Sequence, residues 1–576
     1  MSLTERTTTK AKAEYDLVLA AHRSEKDHTQ TDLEAQKEKV RNIPVCLITP
    51  PSPFLADERV FPFLAPPKLA AELQMNGNEV AILDLSGYAN SQEIVEDYVK
   101  NSQTKVFGIT ATTPQIPNAI AISRTIKSID PNALVILGGP HITLTHGAMV
   151  KDLEKETASG RGTNDFNQLT PHFDKLVAGD GEKAIFYAID PDHTNTLIDA
   201  GSLQSPLFMQ KGELESFASP RRDLIDMDSY SYYIDGHRAF SLIAQLGCPF
   251  ECGFCGGRDV QAYRMARTRN INSVLSEIEE VVGSSFARAL ESGDPSKALT
   301  AVMFYDDELN VSPSNLENLC HGLIDLQRNL AKYIPDDLKK QLGLKTEIIN
   351  DEERIAMRFR GFVKAELFTK EQAELMYEAG FRILLTGVES GSDKILAAMR
   401  KHTSRVINSR CVTLAHAAGL KVKALMSLGH PGESKETIAE SIEWALSNLR
   451  DGDEIDWTVI TQYPGSPYYD HSVFVPEKNA WLYQIQNKKT LEVLNLWSKS
   501  TNYEVDVAYY KGIPGSYTAY VWTDHLTPEE LVYQRDLAET TTRNHLNLPP
   551  VQSVAAKQFE HSMGQSLPKQ ILHPNR

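Results

Sequence analysis

Three cysteines stand close together in the segment LIAQLGCPFECGFCGGR, residues 242–258. Cys248, Cys252 and Cys255 form the pattern C-x-x-x-C-x-x-C, and they are half of the six cysteines in a chain of 576 residues. Thiolates at this spacing can hold a metal ion or a metal cluster, or can form a redox pair. The first question that the sequence raises is which of these the three thiols do.

Three interpretations of the triad compete. A structural zinc site requires a fourth ligand, usually from a second Cys or His pair, and no nearby C-x-x-C or H-x-x-x-H supplies one. A redox pair requires two cysteines and leaves Cys248 unexplained. A [4Fe–4S] cluster held by three cysteines uses the whole triad and leaves one iron open for an external ligand, as a catalytic site requires. On the residues alone, all three interpretations stay open.

Composition narrows the class of protein. The length predicts three or four domains, and an apolar fraction of 41% is ample for their cores. The formal net charge of −17 argues against a nucleic-acid backbone as the main partner, because phosphate binding requires a basic face. We find no signal sequence at the N-terminus and no apolar run near the ~20 residues of a spanning helix, which predicts a cytoplasmic protein without a membrane partner. The scattered cysteines are expected to be buried free thiols: Cys46, Cys320 and Cys411.

Five short apolar runs alternate with amphipathic segments in the first third of the chain. This pattern predicts an α/β domain with a parallel, doubly wound (Rossmann-like) sheet, in which ligands bind outside the carboxyl ends of the strands. Those ends carry small or hydroxyl-bearing residues that let a backbone approach a large ligand. The predicted strands are 44–50, 78–85, 104–111, 133–139 and 174–181.

A second series of strands and helices predicts a partial (β/α)6 barrel. Functional residues of barrels lie at strand C-termini, and the cysteine triad follows the first strand of this series directly. The predicted strands are 241–247, 300–307, 358–366, 382–390, 421–429 and 456–464. The expected organisation is a charged N-terminal extension, a Rossmann-like domain, a connector, the barrel and an α-rich C-terminal domain, over residues 1–42, 43–195, 196–238, 239–470 and 471–576.

The triad in this position resembles the radical S-adenosylmethionine (radical SAM) enzymes. The resemblance implies that the three cysteines hold a [4Fe–4S] cluster, that SAM chelates its open iron, and that one-electron reduction cleaves SAM to a 5′-deoxyadenosyl radical. Four later segments match the family in order, FYDDELN, GVESGSDKIL, SLGHPGES and TQYPGSPYYD. The implied SAM-binding residues are Phe254, Gly256, Asp306, Glu308, Glu389, Ser390 and Leu428.

The first domain, placed before such a barrel, is similar to the cobalamin-binding class of the same family. The segments ITATTPQ, ILGGPHIT and VAGDGE match loops around the cobalamin nucleotide tail. LITPPSPFL stands where some cobalamin proteins have D-x-H-x-x-G, so no histidine from that motif is expected on cobalt. His141 is expected to contact the tail or to be packed, rather than to be an axial ligand. The implied cobalamin-binding residues are Thr110, Thr112, Gly138, Gly139, His141, Gly179, Gly181 and Glu182.

Together the two resemblances imply a cobalamin-dependent radical SAM methyltransferase that methylates an unactivated carbon of an unknown small-molecule or peptide substrate. The chemistry also implies an electron donor of the flavodoxin or ferredoxin kind. Alternatives are cyclisation or rearrangement with the same cofactors, a radical SAM enzyme without cobalamin, and a non-enzymatic metal or cobalamin sensor. A tRNA methylthiotransferase is disfavoured because it needs a second cysteine-held cluster, and the first domain contains only Cys46.

Overall fold

The computed structural model describes residues 30–52, 58–155, 160–487, 490–506 and 517–550. Most of the predicted N-terminal extension lies outside these ranges, and its described part contains helix α1, Gln30–Lys39. In the described ranges, no helix is both long and apolar enough to cross a membrane.

Six parallel strands form the first sheet. They are β1 Val45–Thr49, β2 Val80–Asp84, β3 Val106–Thr110, β4 Leu134–Gly138, β5 Lys175–Gly179 and β6 Leu197–Ala200. Their order is β2–β1–β3–β4–β5–β6. The direction of winding therefore reverses between β1 and β3, and ligands of such sheets bind at that switch point. Strand β6 lies beyond the expected domain boundary at residue 195 and extends the sheet into the predicted connector.

Helices cover both faces of this sheet, which is why its strands are apolar on both sides. One face packs Phe107 and Leu137 against helix residues such as Ile120, and the other packs Leu47 against Phe186. The doubly wound arrangement predicted from the sequence is confirmed. The helices are α2 Ala65–Met75, α3 Ser91–Asn101, α4 Ile116–Ile129, α5 Pro140–Glu154, α6 Arg161–Asn167 and α7 Gly181–Ala188.

The second half of the chain builds an open barrel. Its strands and short ribbons are β7 Tyr233–Ile234, β8 His237–Leu242, β9 Gln245–Leu246, β10 Arg267–Thr268, β11 Ala301–Phe304, β12 Thr346–Ile349, β13 Glu352–Ile355, β14 Arg358–Phe362, β15 Phe381–Glu389, β16 Lys421–Leu428 and β17 Glu454–Val459. The barrel sheet has the order β17–β16–β15–β14–β11–β8–β7. All neighbours in it are parallel except β7 and β8, so six parallel strands form the predicted partial barrel.

Alternation along the barrel strands separates an inner from an outer face. On β15, Ile383 packs inside with residues of the neighbouring strands, whereas Leu384 packs outside under the helices. Two buried cations inside the barrel share one carboxylate, since Arg360 and Lys423 lie 3.3 Å and 3.4 Å from Glu454. The surrounding helices are α8 Gln261–Arg264, α9 Ile271–Ser292, α10 Pro313–Tyr333, α11 Asp336–Gln341, α12 Lys370–Ala379, α13 Asp393–Ala398, α14 Arg405–Ala417 and α15 Lys435–Asn448.

The C-terminal region, expected to be α-rich, contains a four-stranded antiparallel sheet as well as a long helix. The elements are α16 Pro467–Asp470, β18 Val473–Val475, β19 Ala480–Gln486, β20 Val493–Ser498, β21 Val521–Trp522 and α17 Pro528–His545. Helix α17 closes the barrel edge, because Glu539 accepts the backbone N–H of Trp457 at 3.1 Å and Arg535 donates to its carbonyl at 2.7 Å. These contacts satisfy edge groups that an open sheet would expose.

Candidate cofactor sites

The loop that carries the triad, residues 247–260 and called the cysteine loop below, follows β8 and β9 and is anchored by backbone hydrogen bonds. Cys248 N–H donates to the carbonyl of Tyr263 at 2.9 Å, and Gly253 N–H donates to that of Met399 at 2.7 Å. Gly247 has φ +83°, and a Cβ there would collide with the Met265 carbonyl oxygen. The loop therefore requires glycine at this position, one residue before the first cysteine.

The three thiols influence one another. All three are free and half-buried. Burial is the main cause that raises the pKa of Cys255 to about 12; Arg258 opposes the shift, and the charges of Cys252 and Cys248 add to it. Only a bound metal or a cation holds such thiols as thiolates at neutral pH, since metal binding displaces their protons.

The donor set fits a thiolate-bound cluster, since one short loop supplies three free sulfurs beside a buried cation. As placed, however, no three His, Cys, Asp or Glu side chains within the described ranges form a ready metal site. A cluster does not require such convergence, because each thiolate binds a different iron. The assignment of Cys248, Cys252 and Cys255 as cluster ligands stays a prediction.

The acidic segment after β11 holds the chain that leads into the cysteine loop. Asp306 Oδ1 accepts the N–H of Ala244 at 2.7 Å, and Asp307 Oδ2 accepts the N–H of Gly247 at 2.6 Å. Burial raises the pKa of Asp306 to about 7 and that of Glu308 to about 7. One carboxylate oxygen of each, Asp306 Oδ2 and Glu308 Oε2, is buried without a hydrogen-bond partner in the described structure, and the binding of SAM by these residues stays a prediction.

A buried polar network lies at the ends of β15 and β16. Glu389 is 3.2 Å from the Lys401 ammonium and accepts the Ser427 hydroxyl at 2.8 Å. Ser427 also lies 2.8 Å from His430 Nε2, and the His430 ring packs edge-on against Phe254 at 5.2 Å. Burial, reinforced by Lys401, lowers the pKa of His430 to about 3, so this ring is neutral at physiological pH. The structure thus brings Phe254 and Glu389, both predicted SAM contacts, to one network.

The other predicted SAM contacts lie in different surroundings. The Ser390 hydroxyl is 3.0 Å from that of Ser441, so it holds the turn against α15. Leu428 is buried in the outer core, and its carbonyl accepts the N–H of Ile460. A Cβ on Gly256 would lie 3.6 Å from Leu144, at the boundary with the first domain. Their binding of SAM stays a prediction.

Sequence reasoning missed the buried cations of the site. Arg258 and Lys401 are 4% and 7% exposed, and neither was among the expected site residues. His430 was also missed, although it lies in the quoted SLGHPGES segment. A buried position cannot be read from one charged residue in a loop, because burial depends on contacts distant in the chain.

The glycines at the carboxyl edge of the first sheet differ in the space around them. A Cβ on Gly138 would meet nothing within 4 Å, whereas one on Gly139, at φ +97°, would lie 2.6 Å from Thr110 Oγ1. Gly139 therefore serves the tight turn into α5, and Gly138 leaves a cradle that a ligand can fill. This cradle fits the predicted cobalamin tail.

The remaining predicted cobalamin contacts surround the same edge or brace it. Thr112 donates its hydroxyl to Gln115 at 2.8 Å, and Gly179 N–H donates to Thr143 Oγ1 at 2.9 Å. Gly181 packs on a side chain of α2, and Glu182 forms an ion pair with Lys68 on that helix. Their roles toward cobalamin stay predictions.

His141 is completely buried. Its Nδ1 lies 3.0 Å from Thr113 Oγ1, and its ring packs edge-on against Tyr503 at 4.5 Å. Its Nε2 has no hydrogen-bond partner in the described part of the chain. Burial lowers the pKa of His141 to about 3, which makes it a neutral histidine that can still accept a hydrogen bond.

The two sites lie against each other. A Cβ on Gly147 of α5 would be 2.6 Å from Val260 of the cysteine loop. Asp180, after β5, forms an ion pair with Arg267, which lies beyond the loop. The carboxyl edge of the first sheet therefore contacts the segment that carries the triad.

Two family models match the chain. The B12 binding domain matches residues 68–170, and the Radical SAM superfamily matches residues 322–445. The chain therefore combines a B12 binding domain with a radical SAM domain, as predicted. The same matches confirm the expected cofactor classes, which are cobalamin, SAM and the iron–sulfur cluster. The radical SAM match begins beyond the cysteine loop, so the triad is assigned from its motif and its position in the barrel.

Proteins similar to this chain in sequence include different activities. An uncharacterized methyltransferase of Pyrococcus horikoshii is 23% identical over 436 residues, which are 74% of this chain and 83% of that protein. The anaerobic magnesium-protoporphyrin IX monomethyl ester cyclase of Cereibacter sphaeroides is 22% identical over 397 residues, 67% of this chain but 56% of the cyclase. The chain thus spans about half of the cyclase's length.

A solved structure has the same fold over nearly the whole chain. The radical SAM methyltransferase TsrM from Kitasatospora setae, with tryptophan substrate and a SAM analogue bound, superposes with a TM-score of 0.58 at 15% identity. The match covers 91% of this chain and 94% of TsrM. At this identity the likeness establishes the fold.

Proposed function

We propose that the protein methylates an unactivated carbon of a small-molecule or peptide substrate, using cobalamin, SAM and a [4Fe–4S] cluster. The observation that carries the proposal is the contact between helix α5 of the first domain and the cysteine loop, at Gly147 and Val260. A substrate bound beside this contact would lie near both cofactors. The methyltransferases among the relatives support the same activity.

The residues assigned to the cofactors divide between the two domains. Cys248, Cys252 and Cys255 would hold the cluster, the network around Glu389 would hold SAM, and the cradle at Gly138 would hold the cobalamin tail. When bound, the cluster and SAM supply a radical that removes hydrogen from carbon, and cobalamin supplies a methyl group that such a carbon can accept.

The chain's own residues position and shield these groups. Asp306 and Asp307 hold the entry to the cysteine loop through the N–H groups of Ala244 and Gly247. His430 stays neutral and links Ser427 to the hydroxyl of Tyr468, 3.4 Å away, so it orients hydrogen bonds rather than donating a charge. The ring of Phe254 packs beside this network on the buried side chains of Ile395, Leu396 and Met399, and such packing excludes water, which protects a carbon radical from side reactions.

Cyclisation without methyl transfer is the second candidate. The cyclase relatives favour it, since one of them matches 67% of this chain. Both activities would use the same cofactor residues, so the product distinguishes them. Methylation adds one methyl group to the substrate, and cyclisation adds none.

The test begins with anaerobic purification from cells supplied with cobalamin, followed by iron and cobalamin analysis per chain. We expect four irons and near-stoichiometric cobalamin, and then transfer of a labelled methyl group from SAM to substrate candidates. The variant Cys255→Ala is the control that retains cobalamin and lacks the cluster. An iron–sulfur spectrum without cobalamin after reconstitution would contradict both candidates. A product without added methyl would favour cyclisation.

A further inference from the structure

Arg258 is a buried cation inside the cysteine loop. It is 4% exposed. Its Nη1 donates to the carbonyl of Cys248, its Nη2 donates to that of Tyr263 at 3.3 Å, and its own N–H donates to the carbonyl of Cys255 at 3.3 Å. The side chain is therefore fixed to the backbone of the first cysteine and of Tyr263, and the Arg258 backbone is fixed to that of the third cysteine.

Asp307 places an opposing charge beside the same thiols. Its carboxylate is held by the N–H of Gly247 at 2.6 Å. Gly247 directly precedes Cys248, so the negative charge of Asp307 lies beside the first cysteine, whose carbonyl accepts a hydrogen bond from Arg258. Both charges thus act on the sulfurs of the triad.

One hydrogen-bond donor of the Arg258 side chain has no partner in the described structure. Its Nε–H is buried and has no acceptor in the described structure. A buried donor without a partner costs free energy, and a group bound beside the loop can accept this hydrogen bond. Sulfur ligands of a cluster accept such hydrogen bonds, and these bonds, the net charge and solvent exposure set the potential of iron–sulfur clusters.

We propose that Arg258 and Asp307 set the reduction potential of the cluster, with Arg258 raising it and Asp307 lowering it. The inference rests on the proposed function, in which the triad holds the cluster. Reduction transfers one electron from a flavodoxin- or ferredoxin-type donor to the cluster and neither forms nor breaks a covalent bond. A nearby cation stabilises the added negative charge, and a nearby anion opposes it, most strongly where water is excluded.

The test is a redox titration of the anaerobically reconstituted full chain, followed by the electron paramagnetic resonance of the reduced cluster. Arg258→Gln is expected to make the cluster at least tenfold harder to reduce, about 59 mV more negative for one electron. Asp307→Asn is expected to shift the potential the opposite way. Arg258→Lys keeps the charge and is expected to stay near wild type.

Arg264 provides the matched control. It also donates to loop carbonyls, those of Arg258 at 3.5 Å and Pro249 at 3.2 Å, but its side chain is 41% exposed. Solvent screens an exposed charge, so Arg264→Gln is expected to change the potential little.

The outcomes separate this inference from the proposed function. If the cluster is present and the reduction potentials of Arg258→Gln and Asp307→Asn shift in the same direction, the inference is overturned. It is also overturned if their shifts are no larger than that of Arg264→Gln. If Arg258→Gln does not assemble a cluster, Arg258→Lys and Asp307→Asn decide by the same criteria. A wild-type chain that binds no iron after reconstitution overturns the proposed function and the inference with it.

Discussion

Substitutions at two adjacent glycines can distinguish effects on the stability of the first domain from effects on its affinity for cobalamin. Gly139 has φ +97° and ψ −172°, a backbone region nearly restricted to glycine. A Cβ there would lie 2.6 Å from Thr110 Oγ1 and 2.9 Å from Ala111 N. Strain of this kind costs about 1–3 kcal/mol. At about 2 kcal/mol, Gly139→Ala would lower the Tm by about 4–8 °C for a domain of this size.

Gly138→Ala is the matched variant, because a Cβ there meets nothing within 4 Å. We expect its Tm to equal that of wild type. A methyl group in a space that the cobalamin tail occupies costs about 1–3 kcal/mol, so cobalamin affinity should fall about tenfold or more. The assays are thermal unfolding by circular dichroism without cobalamin and cobalamin titration by visible absorbance.

Either variant can refute the reasoning. Wild-type cobalamin affinity in Gly138→Ala would show that the tail does not fill the cradle. An unchanged Tm in Gly139→Ala would show that the turn relaxes without strain, and then Gly139 has no structural requirement for glycine.

The other predictions concern the triad and three buried carboxyl groups. Replacing any one cysteine of the triad by Ala should abolish iron binding, measured by iron analysis, while cobalamin still binds; retained iron would remove that cysteine from the ligands. Burial raises the pKa of Asp165 from 3.8 to about 6, so the folded state binds its proton more tightly and loses stability as pH rises from about 4 to 6. At 1.36 kcal/mol per pKa unit, this loss of unfolding free energy amounts to at most about 3 kcal/mol, and Asp165→Asn should lack it. The measurement is urea unfolding of both proteins at several pH values. The same dependence of unfolding free energy on pH in the variant and in wild type would contradict the prediction. Lys401→Met leaves Glu389 without its cation and should weaken SAM binding at least tenfold by calorimetry, with Lys401→Arg closer to wild type. Asp306→Ala leaves the N–H of Ala244 unpaired and should lower iron loading, whereas Asp306→Asn, which retains an acceptor, should lose less.

Much of the fold was predictable, because buried parallel strands are continuous apolar runs. The expected strand at 133–139 is β4, Leu134–Gly138, and the six barrel strands occur in the predicted order. Strand β6 was missed because it is four residues long, LIDA, between polar turns. The C-terminal sheet was missed because its strands mix buried and exposed residues, as in β19, where Ala480 is buried and Gln484 is exposed.

The sequence by itself indicated a metal or redox role for the triad and, through its resemblances, the family, because the donor atoms and their spacing lie within eight residues of one loop. Only the tertiary structure decided which charges act on that loop. Arg258 reaches the carbonyl of Cys248, and Glu389 gains Lys401 and Ser427, through folding rather than through a motif. The contact between the two cofactor edges likewise depends on α5 meeting the cysteine loop. The physical reason is that burial removes the screening of water, so a charge acts on its spatial neighbours, and the spatial neighbours of a residue are set by the packing of distant segments.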